Sequence, residues 1–218
     1  MADEIRTVVV ATANAGKLAE ISAALDIPGF RFVTAADLGA EALDVAETGE
    51  TFTDNAYLKA EAYRKRFGMA ALADDSGLVV DALGGRPGVR SSRFAGERAT
   101  DGDNTRRLLE ELDGFGPEMR AARFQCVMVF VDEHGEPISV CGTCEGQIGF
   151  SPRGTGGFGY DPAFLPDDGP PGRTMAELTP EEKDALSHRG RAARALLERI
   201  ERDGPPPWPT AGAARRSS

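Results

Sequence analysis

The sequence predicts an α/β fold built on a mixed sheet, and three observations predict it. Short β-branched or apolar runs alternate with stretches whose apolar residues recur at helical spacing. Two long β-like stretches are joined by a tight turn, as in a hairpin. Finally, 218 residues with 41% hydrophobic content can bury a sizeable core within one domain, or one domain with two lobes.

Thr7-Val-Val-Val-Ala11 reads as the first strand. After Thr12-Ala-Asn-Ala-Gly-Lys17, the residues Leu18, Ile21 and Leu25 recur at helical spacing, so the order is strand, turn, helix. Pro28-Gly29 stops this helix, and Phe30 to Val33 reads as another short strand. A polar loop through Glu47-Thr-Gly-Glu50 leads to Thr51 and Thr53, both suited to cap a helix. Ala56, Ala60, Tyr63 and Phe67 lie on one face of that helix, and Gly68 suits its C′ position.

Met69 to Ala73 is an apolar strand running into Asp74-Asp75-Ser76-Gly77, and Leu78 to Leu83 is a second apolar run beyond it. The loop Gly84-Gly-Arg-Pro-Gly-Val-Arg-Ser-Ser-Arg93 is rich in glycine and arginine. A helix from about Asp103 carries Leu108, Leu109 and Leu112. Arg120 to Val131, the turn Asp132-Glu-His-Gly135 and Pro137 to Ile148 form a long hairpin, expected to be the sheet of the second lobe. A glycine-dense loop, Gly154 to Pro162, follows. Thr179-Pro180-Glu181-Glu182 then supplies an N-cap, a first-position proline and a capping-box glutamate for a helix predicted to reach Ile200. Beyond Gly204 the composition turns to proline, alanine, arginine and serine without an apolar period, so 1–204 is expected to be the domain and 205–218 a disordered tail.

The formal charge of −10 argues against wrapping a nucleic-acid backbone, which needs a basic surface. The chain has no apolar run of about 18 residues, which excludes a membrane-spanning helix. Its N-terminus carries acids where a signal peptide needs a basic and then an apolar region, so a cytoplasmic location is expected. Of the three cysteines, Cys126, Cys141 and Cys144, the pair Cys141-Gly-Thr-Cys144 has a redox-like spacing. In a strand, however, positions i and i+3 point to opposite faces, and His134 and His188 are the only histidines. Strand cysteines are therefore the preferred reading.

A turn from a strand into a helix N-terminus presents backbone N–H groups and the positive end of the helix dipole, which suits phosphate. Here Lys17 adds a charge, Thr12 and Asn14 add short polar side chains, and Gly16 allows close approach. Taken alone, Asn-x-Gly-Lys is also a common turn. An ionised carboxylate at the end of an apolar strand is costly to bury. Asp74 and Asp75 are therefore either a solvated turn or an acid site for a hard divalent ion, held by one or two carboxylates and substrate phosphates, as magnesium is. Asn55 and Lys59 share a helix face, so Lys59 either reaches an anion or is solvated, and Glu47 alone is an ordinary loop acid. Phe158 and Tyr160 either stack on a flat base or pack inward. Lys183, His188 and Arg189 cluster in sequence, and spacing does not separate a substrate site from a polar helix face.

Six motifs in order then resemble the inosine/xanthosine triphosphate pyrophosphatases. They are Thr12 to Lys17, Glu47-Thr-Gly-Glu-Thr-Phe52, Asn55 with Lys59, Ala73-Asp-Asp-Ser-Gly77, Gly154-Thr-Gly-Gly-Phe-Gly-Tyr-Asp-Pro162 and Ser187-His-Arg189, and the match covers roughly residues 5 to 201. The resemblance implies an elongated mixed sheet with flanking helices, two lobes forming a central nucleotide-binding cleft, and a homodimer. It implies hydrolysis of non-standard purine triphosphates (ITP, dITP, XTP) to monophosphate and pyrophosphate with Mg2+ as cofactor. By carry-over, Thr12, Ala13, Asn14, Ala15, Gly16 and Lys17 hold the triphosphate with Lys59 and Ser76. Asp75 is the proton acceptor and, with Glu47, a magnesium ligand. Phe158, Gly159, Tyr160, Asp161, Lys183, His188 and Arg189 take the rest of the nucleotide. Two departures are visible: Ala13 stands where the family often has glycine, and Cys144 where relatives carry a large aromatic. Lys17 itself separates the chain from the Maf-like pyrophosphatases, whose phosphate turn typically ends in arginine. A catalytically silent nucleotide-binding module would have no use for Asp75 and Glu47.

Overall fold

The computed structural model describes residues 5–12, 17, 18, 21, 25 and 29–203. Ala13, Asn14, Ala15 and Gly16 of the expected phosphate turn, and the segment 205–218, lie outside the described residues.

The described chain runs β1 (Arg6–Val10), β2 (Phe30–Val33), α1 (Phe52–Phe67), β3 (Ala70–Val80), α2 (Asp101–Glu111), β4 (Ala121–Val131), β5 (Pro137–Ile148), β6 (Phe164–Pro166), α3 (Pro180–Leu186) and α4 (His188–Asp203), with short 3-10 turns between them. The strands form one six-stranded sheet in the order β2-β1-β3-β4-β5-β6. β1 runs parallel to β2, with Val8 opposite Phe32, and parallel to β3, with Val9 opposite Ala71. β5 and β6 are antiparallel. The hairpin closes at Asp132 N–H to Glu136 O, while its far end is tied by Ile148 N–H to Arg120 O, so β4 and β5 are antiparallel too. The expected hairpin is therefore present, but it continues the one sheet through β3 instead of making a separate one.

One open alternative is closed and one expectation is corrected. Of the two readings of Asp74-Asp75-Ser76-Gly77, the solvated turn is ruled out: β3 passes through all four residues as one strand of 11 residues. Turn propensity in this segment yields to strand pairing: β3 enters it already paired with β1 through Leu72 and has β4 as its other neighbour in the sheet. The helix expected to run from Thr179 to Ile200 is two helices. Ser187 leaves helical conformation, at φ −62° and ψ 143°, and its Oγ accepts the Gly190 N–H at 2.9 Å, so it caps a new helix.

Helix ends otherwise follow sequence chemistry. Thr51, Thr100 and Thr179 each cap a helix in a reciprocal box with Asp54, Asp103 and Glu182. α1 ends on Gly68 in the left-handed region at φ 65°. Lys17, Leu18 and Ile21 have helical backbone, and the Leu25 N–H donates to Ile21 O at 3.0 Å.

The chain divides into two compact units. The first comprises Met1–Asp74, Val127–Val140 and Ala193–Ser218; the second comprises Asp75–Cys126 and Cys141–Ala192. In the first, Val8, Val9, Ala56, Ala60, Ala71 and Leu72 are buried. The core of the second joins Leu78, Leu108, Leu112, Phe124, Phe164 and Met175 around Cys144. Cys126, Cys141 and Cys144 are all free thiols; Cys141 is exposed, whereas Cys144 is buried, and burial pushes its thiol up to about 11. Arg120 is also buried, its guanidinium donating to the carbonyls of Leu112, Phe115 and Gly149, and burial lowers its pKa. No described helix is long and apolar enough to cross a membrane.

On α1, Glu61 accepts from Arg64 and pairs with Lys65, and Arg64 also donates to Glu133 O beside the β4–β5 turn. The hydrogen bonds from Arg64 hold the Glu61 carboxyl at about 2, well below its reference of 4.5. A carboxyl lowered on folding contributes stability that is complete above the unfolded value and lost as pH falls through the folded one. Denaturant midpoints measured from pH about 5 down to about 2 should fall less steeply in Glu61→Gln than in the parent chain.

Candidate active site

The candidate residues fall into two groups, one in each unit. In the first unit, β1 ends at Val10 and is followed by Ala11 and Thr12. With Lys17, the loop residues Leu43, Asp44, Val45 and Glu47, Lys59 and Tyr63 from α1, and Asp74 from β3, they line a pocket of about 230 Å3. Two ion pairs lie in this lining: Lys17 Nζ to Asp74 Oδ2 at 3.1 Å, and Lys59 Nζ to Glu47 Oε1 at 3.1 Å.

The loop that carries Glu47 is fixed from α1. The Gly49 N–H donates to Asn55 Oδ1 at 2.8 Å, and the Leu43 N–H donates to the Tyr63 hydroxyl at 3.0 Å. A Cβ on Gly49 would stand 2.7 Å from that same Asn55 oxygen, which explains the glycine in Glu47-Thr-Gly-Glu50. Asn55, Lys59 and Tyr63 recur every fourth residue, so one helix face both holds the loop and supplies a cation. The structure thus brings Thr12, Lys17, Glu47 and Lys59 together. It adds Asp74, one of the two acids weighed for a metal site, to which the resemblance gave no role. The available signal was strand alternation, which sends one of two neighbouring acids to each face.

In the second unit, β3 continues with Asp75, which is buried, and Ser76. Arg189, also buried, donates to Ser76 Oγ at 2.8 Å. His188 stacks on Phe124 with ring centroids 4.9 Å apart and planes 12° from parallel. Both residues sit in the first turn of α4 because Ser187 caps it. β5 approaches this turn at Gly142, where any Cβ would collide with His188 O and Ala192 N.

The glycine-dense loop closes on Asp161. Its Oδ2 accepts the Phe158 N–H at 2.9 Å and pairs with Lys183 Nζ at 2.8 Å. Gly157, at φ 72°, leaves room for that carboxylate, which a Cβ would displace. The Phe158 ring is faced by Lys183 Nζ at 4.7 Å and by Arg189 Cζ at 5.6 Å from its centroid. Tyr160 packs inward: its hydroxyl donates to Ser91 O at 2.8 Å, and burial raises its pKa. The Gly159 N–H donates to Asp101 Oδ2 at 2.7 Å, anchoring the loop on the first turn of α2. Phe158, Gly159, Tyr160, Asp161, Lys183 and Arg189 are thus linked by direct contacts or by sequence adjacency, with Ser76 tied in through Arg189.

Among the described residues no group of three or more His, Cys, Asp or Glu side chains stands together as a metal cage. Magnesium needs none, because one or two carboxylates plus phosphate oxygens and water satisfy it. Glu47 and Asp74 provide hard oxygen donors of this kind in one pocket.

The chain is similar to known proteins along most of its length. The sequence model of the Ham1 family matches residues 8–199. The chain is 51% identical over 199 residues to the dITP/XTP pyrophosphatase of Geobacillus kaustophilus, covering 90% of this chain and 95% of that protein. It is 46% identical to the protein of the same name from Escherichia coli K12, covering 90% and 98%. Among solved structures, a HAM1 protein from Coxiella burnetii superposes with a TM-score of 0.80 at 41% identity, covering 90% of this chain and 99% of its own. A nucleoside-triphosphatase, dITP/XTP pyrophosphatase from Mycobacterium abscessus gives 0.72 at 48% identity, covering 88% and 98%.

The Lys183–Asp161 pair is largely shielded from solvent, so removing one partner leaves a poorly compensated charge. Lys183→Met should cost about 3 kcal/mol in a urea titration. Proteolysis and hydrogen exchange of residues 154–161 should accelerate in the same variant.

Proposed function

The chain is a member of the Ham1 family, and on that premise we propose that it hydrolyses non-standard purine nucleoside triphosphates, ITP, dITP and XTP, to the nucleoside monophosphate and pyrophosphate. The observation that carries this reading is the pocket at the end of β1, where two lysines and three carboxylates share one lining. Relatives at 46% to 51% identity over nine-tenths of the chain, named dITP/XTP pyrophosphatases, support the bond cleaved and the base selected.

In this reading, residues Thr12, Ala13, Asn14, Ala15, Gly16 and Lys17 hold the triphosphate together with Lys59 and Ser76. Lys17 and Lys59 offset the charge of the β- and γ-phosphates, where electrostatic stabilisation is usually the largest catalytic contribution. Asp75 takes the proton of a water that attacks the α-phosphorus. The bond from that phosphorus to the α,β-bridging oxygen breaks, and pyrophosphate leaves with the electron pair. Glu47 and Asp75 would hold a magnesium ion, which would supply Lewis-acid polarisation.

For the base, Phe158 offers a flat ring already faced by two cations. His188, Arg189 and backbone amides are the donors assigned to a 6-oxo purine. An adenine amino group there leaves those donors unpaired, which is how a buried polar site rejects an otherwise similar ligand. Cytoplasmic location and a homodimer belong to the same proposal, and sedimentation tests the second. A silent nucleotide-binding module would bind ITP without forming product.

Incubation with ITP, XTP, ATP and GTP should give monophosphate and pyrophosphate from the first two only, and a chelator should abolish it. Orthophosphate as the first product would refute the proposal. Asp75→Asn should keep the circular dichroism of the parent and lose about 10²- to 10⁴-fold in turnover, the usual contribution of a positioned base. Replacing His188 and Arg189 by alanine, in a variant shown to be folded, should narrow the gap between ITP and ATP in kcat/KM; an unchanged ratio would remove these residues from base selection.

A further inference from the structure

The loop that carries Phe158 and Tyr160 is fastened from outside as well as from within. Gly159 has left-handed backbone at φ 63° and open space where a side chain would stand, so conformation and not crowding calls for glycine there. Both backbone polar groups of this residue are taken by α2. The Gly159 N–H donates to Asp101 Oδ2 at 2.7 Å, and the Gly159 carbonyl accepts from the Thr105 hydroxyl at 3.3 Å. Asp101 and Thr105 stand four apart and share one helix face. Asp101 is exposed, Thr105 is buried, and the capping box of α2 is made by Thr100 and Asp103 without either of them.

The next residue is tied to the same helix through one intermediary. The Tyr160 hydroxyl donates to Ser91 O, while Ser91 Oγ accepts the Leu78 N–H of β3 at 2.9 Å and donates to Gly88 O at 2.6 Å. Asn104 of α2 pins this segment, its Oδ1 accepting the Ala95 N–H at 2.8 Å and its Nδ2 donating to Ser92 O at 3.0 Å. Gly159 and Tyr160 therefore rest on a hydrogen-bonded base formed by α2, residues 88–95 and β3.

Taking Phe158 as the surface on which the base lies, which rests on the function proposed above, we propose that Asp101 and Thr105 are positioning residues for base recognition, acting through the Gly159 peptide. Glycine leaves the peptides on either side free to rotate, and bonds to both its N–H and its carbonyl remove that freedom. The Phe158 ring is then held in place before a nucleotide arrives. Without the clamp, each binding event must first order the loop, and that cost weakens affinity. The base lies on the ring in the ground state and in the transition state alike, so the loss falls on KM and leaves kcat nearly unchanged. None of the residues assigned to the phosphates belongs to this loop or to α2, so phosphate binding is spared.

The test compares Asp101→Ala, Asp101→Asn and Thr105→Val in the full chain, by ITP kinetics and by inhibition with the two products, IMP and pyrophosphate. Asp101→Ala should raise the KM for ITP and the inhibition constant of IMP about tenfold, the scale of one hydrogen bond to a charged group, with kcat and pyrophosphate inhibition within about twofold of wild type. Asp101→Asn keeps an oxygen acceptor for the Gly159 N–H and should restore most of the loss. Thr105→Val, which removes the second bond, should shift the same two constants in the same direction by a smaller factor. Amide exchange at Gly159 should accelerate in Asp101→Ala and stay near wild type in Asp101→Asn. An unchanged KM in Asp101→Ala, equal weakening of IMP and pyrophosphate, or an Asp101→Asn variant as impaired as Asp101→Ala would each overturn the positioning role. Wild-type chain that leaves ITP intact would instead overturn the function on which the proposal rests.

Discussion

The burial of two neighbouring carboxylates in the middle of β3 is the constraint on which the site's architecture depends. Ala70 to Ala73 are sealed from solvent, and the strand then carries Asp74 and Asp75 without leaving the sheet. A charge in such a place is tolerated only with compensating partners. Lys17, in the chain that follows β1, serves Asp74. The parallel pairing of β1 with β3 sets Val10 opposite Leu72, two residues before Asp74. A fold selected for stability alone would put an apolar residue at each position; retaining both acids is the kind of local violation expected where chemistry is done.

The second unit meets a comparable problem with cations. Arg189 is buried at the start of a helix, where the dipole is unfavourable for positive charge. Ser76 accepts from it, and the Phe158 ring lies near its guanidinium. Asp161 does the converse for Lys183 while taking a backbone amide of the same loop. The glycines at 142 and 157 are required because each lies where a side chain would displace one of these polar groups or the backbone beside it.

Local chemistry made much of the fold legible. Thr51, Gly68 and Thr179 announced helix ends because caps depend on neighbours three or four residues away. The β4–β5 hairpin was readable for the same reason. The Asp-Asp-Ser-Gly segment was ambiguous, since each residue favours turns and only pairing with distant strands keeps it extended. Ser187 was hidden because helical sequence flanks it on both sides. The site was legible mainly through resemblance. Spacing alone left Lys59, Glu47 and Phe158 with ordinary alternatives, and contacts such as Arg189 to Ser76, 113 residues apart, have no local signature. Asp74 could be weighed only as one of a pair of acids, because its partner Lys17 lies far back in the chain and only the fold joins them.

The composition of the two units has a consequence for the growing chain. The second is made from Asp75–Cys126 and Cys141–Ala192, whereas the first also draws on Ala193–Ser218. On the ribosome, which releases residues in order, the second unit therefore has all of its parts before the first does. The opening strand and α1, synthesised earliest, belong to the unit whose last segment emerges last. A truncation near residue 192 would remove that segment and cut α4 after its first turn, leaving a chain exposed to chaperones and proteases.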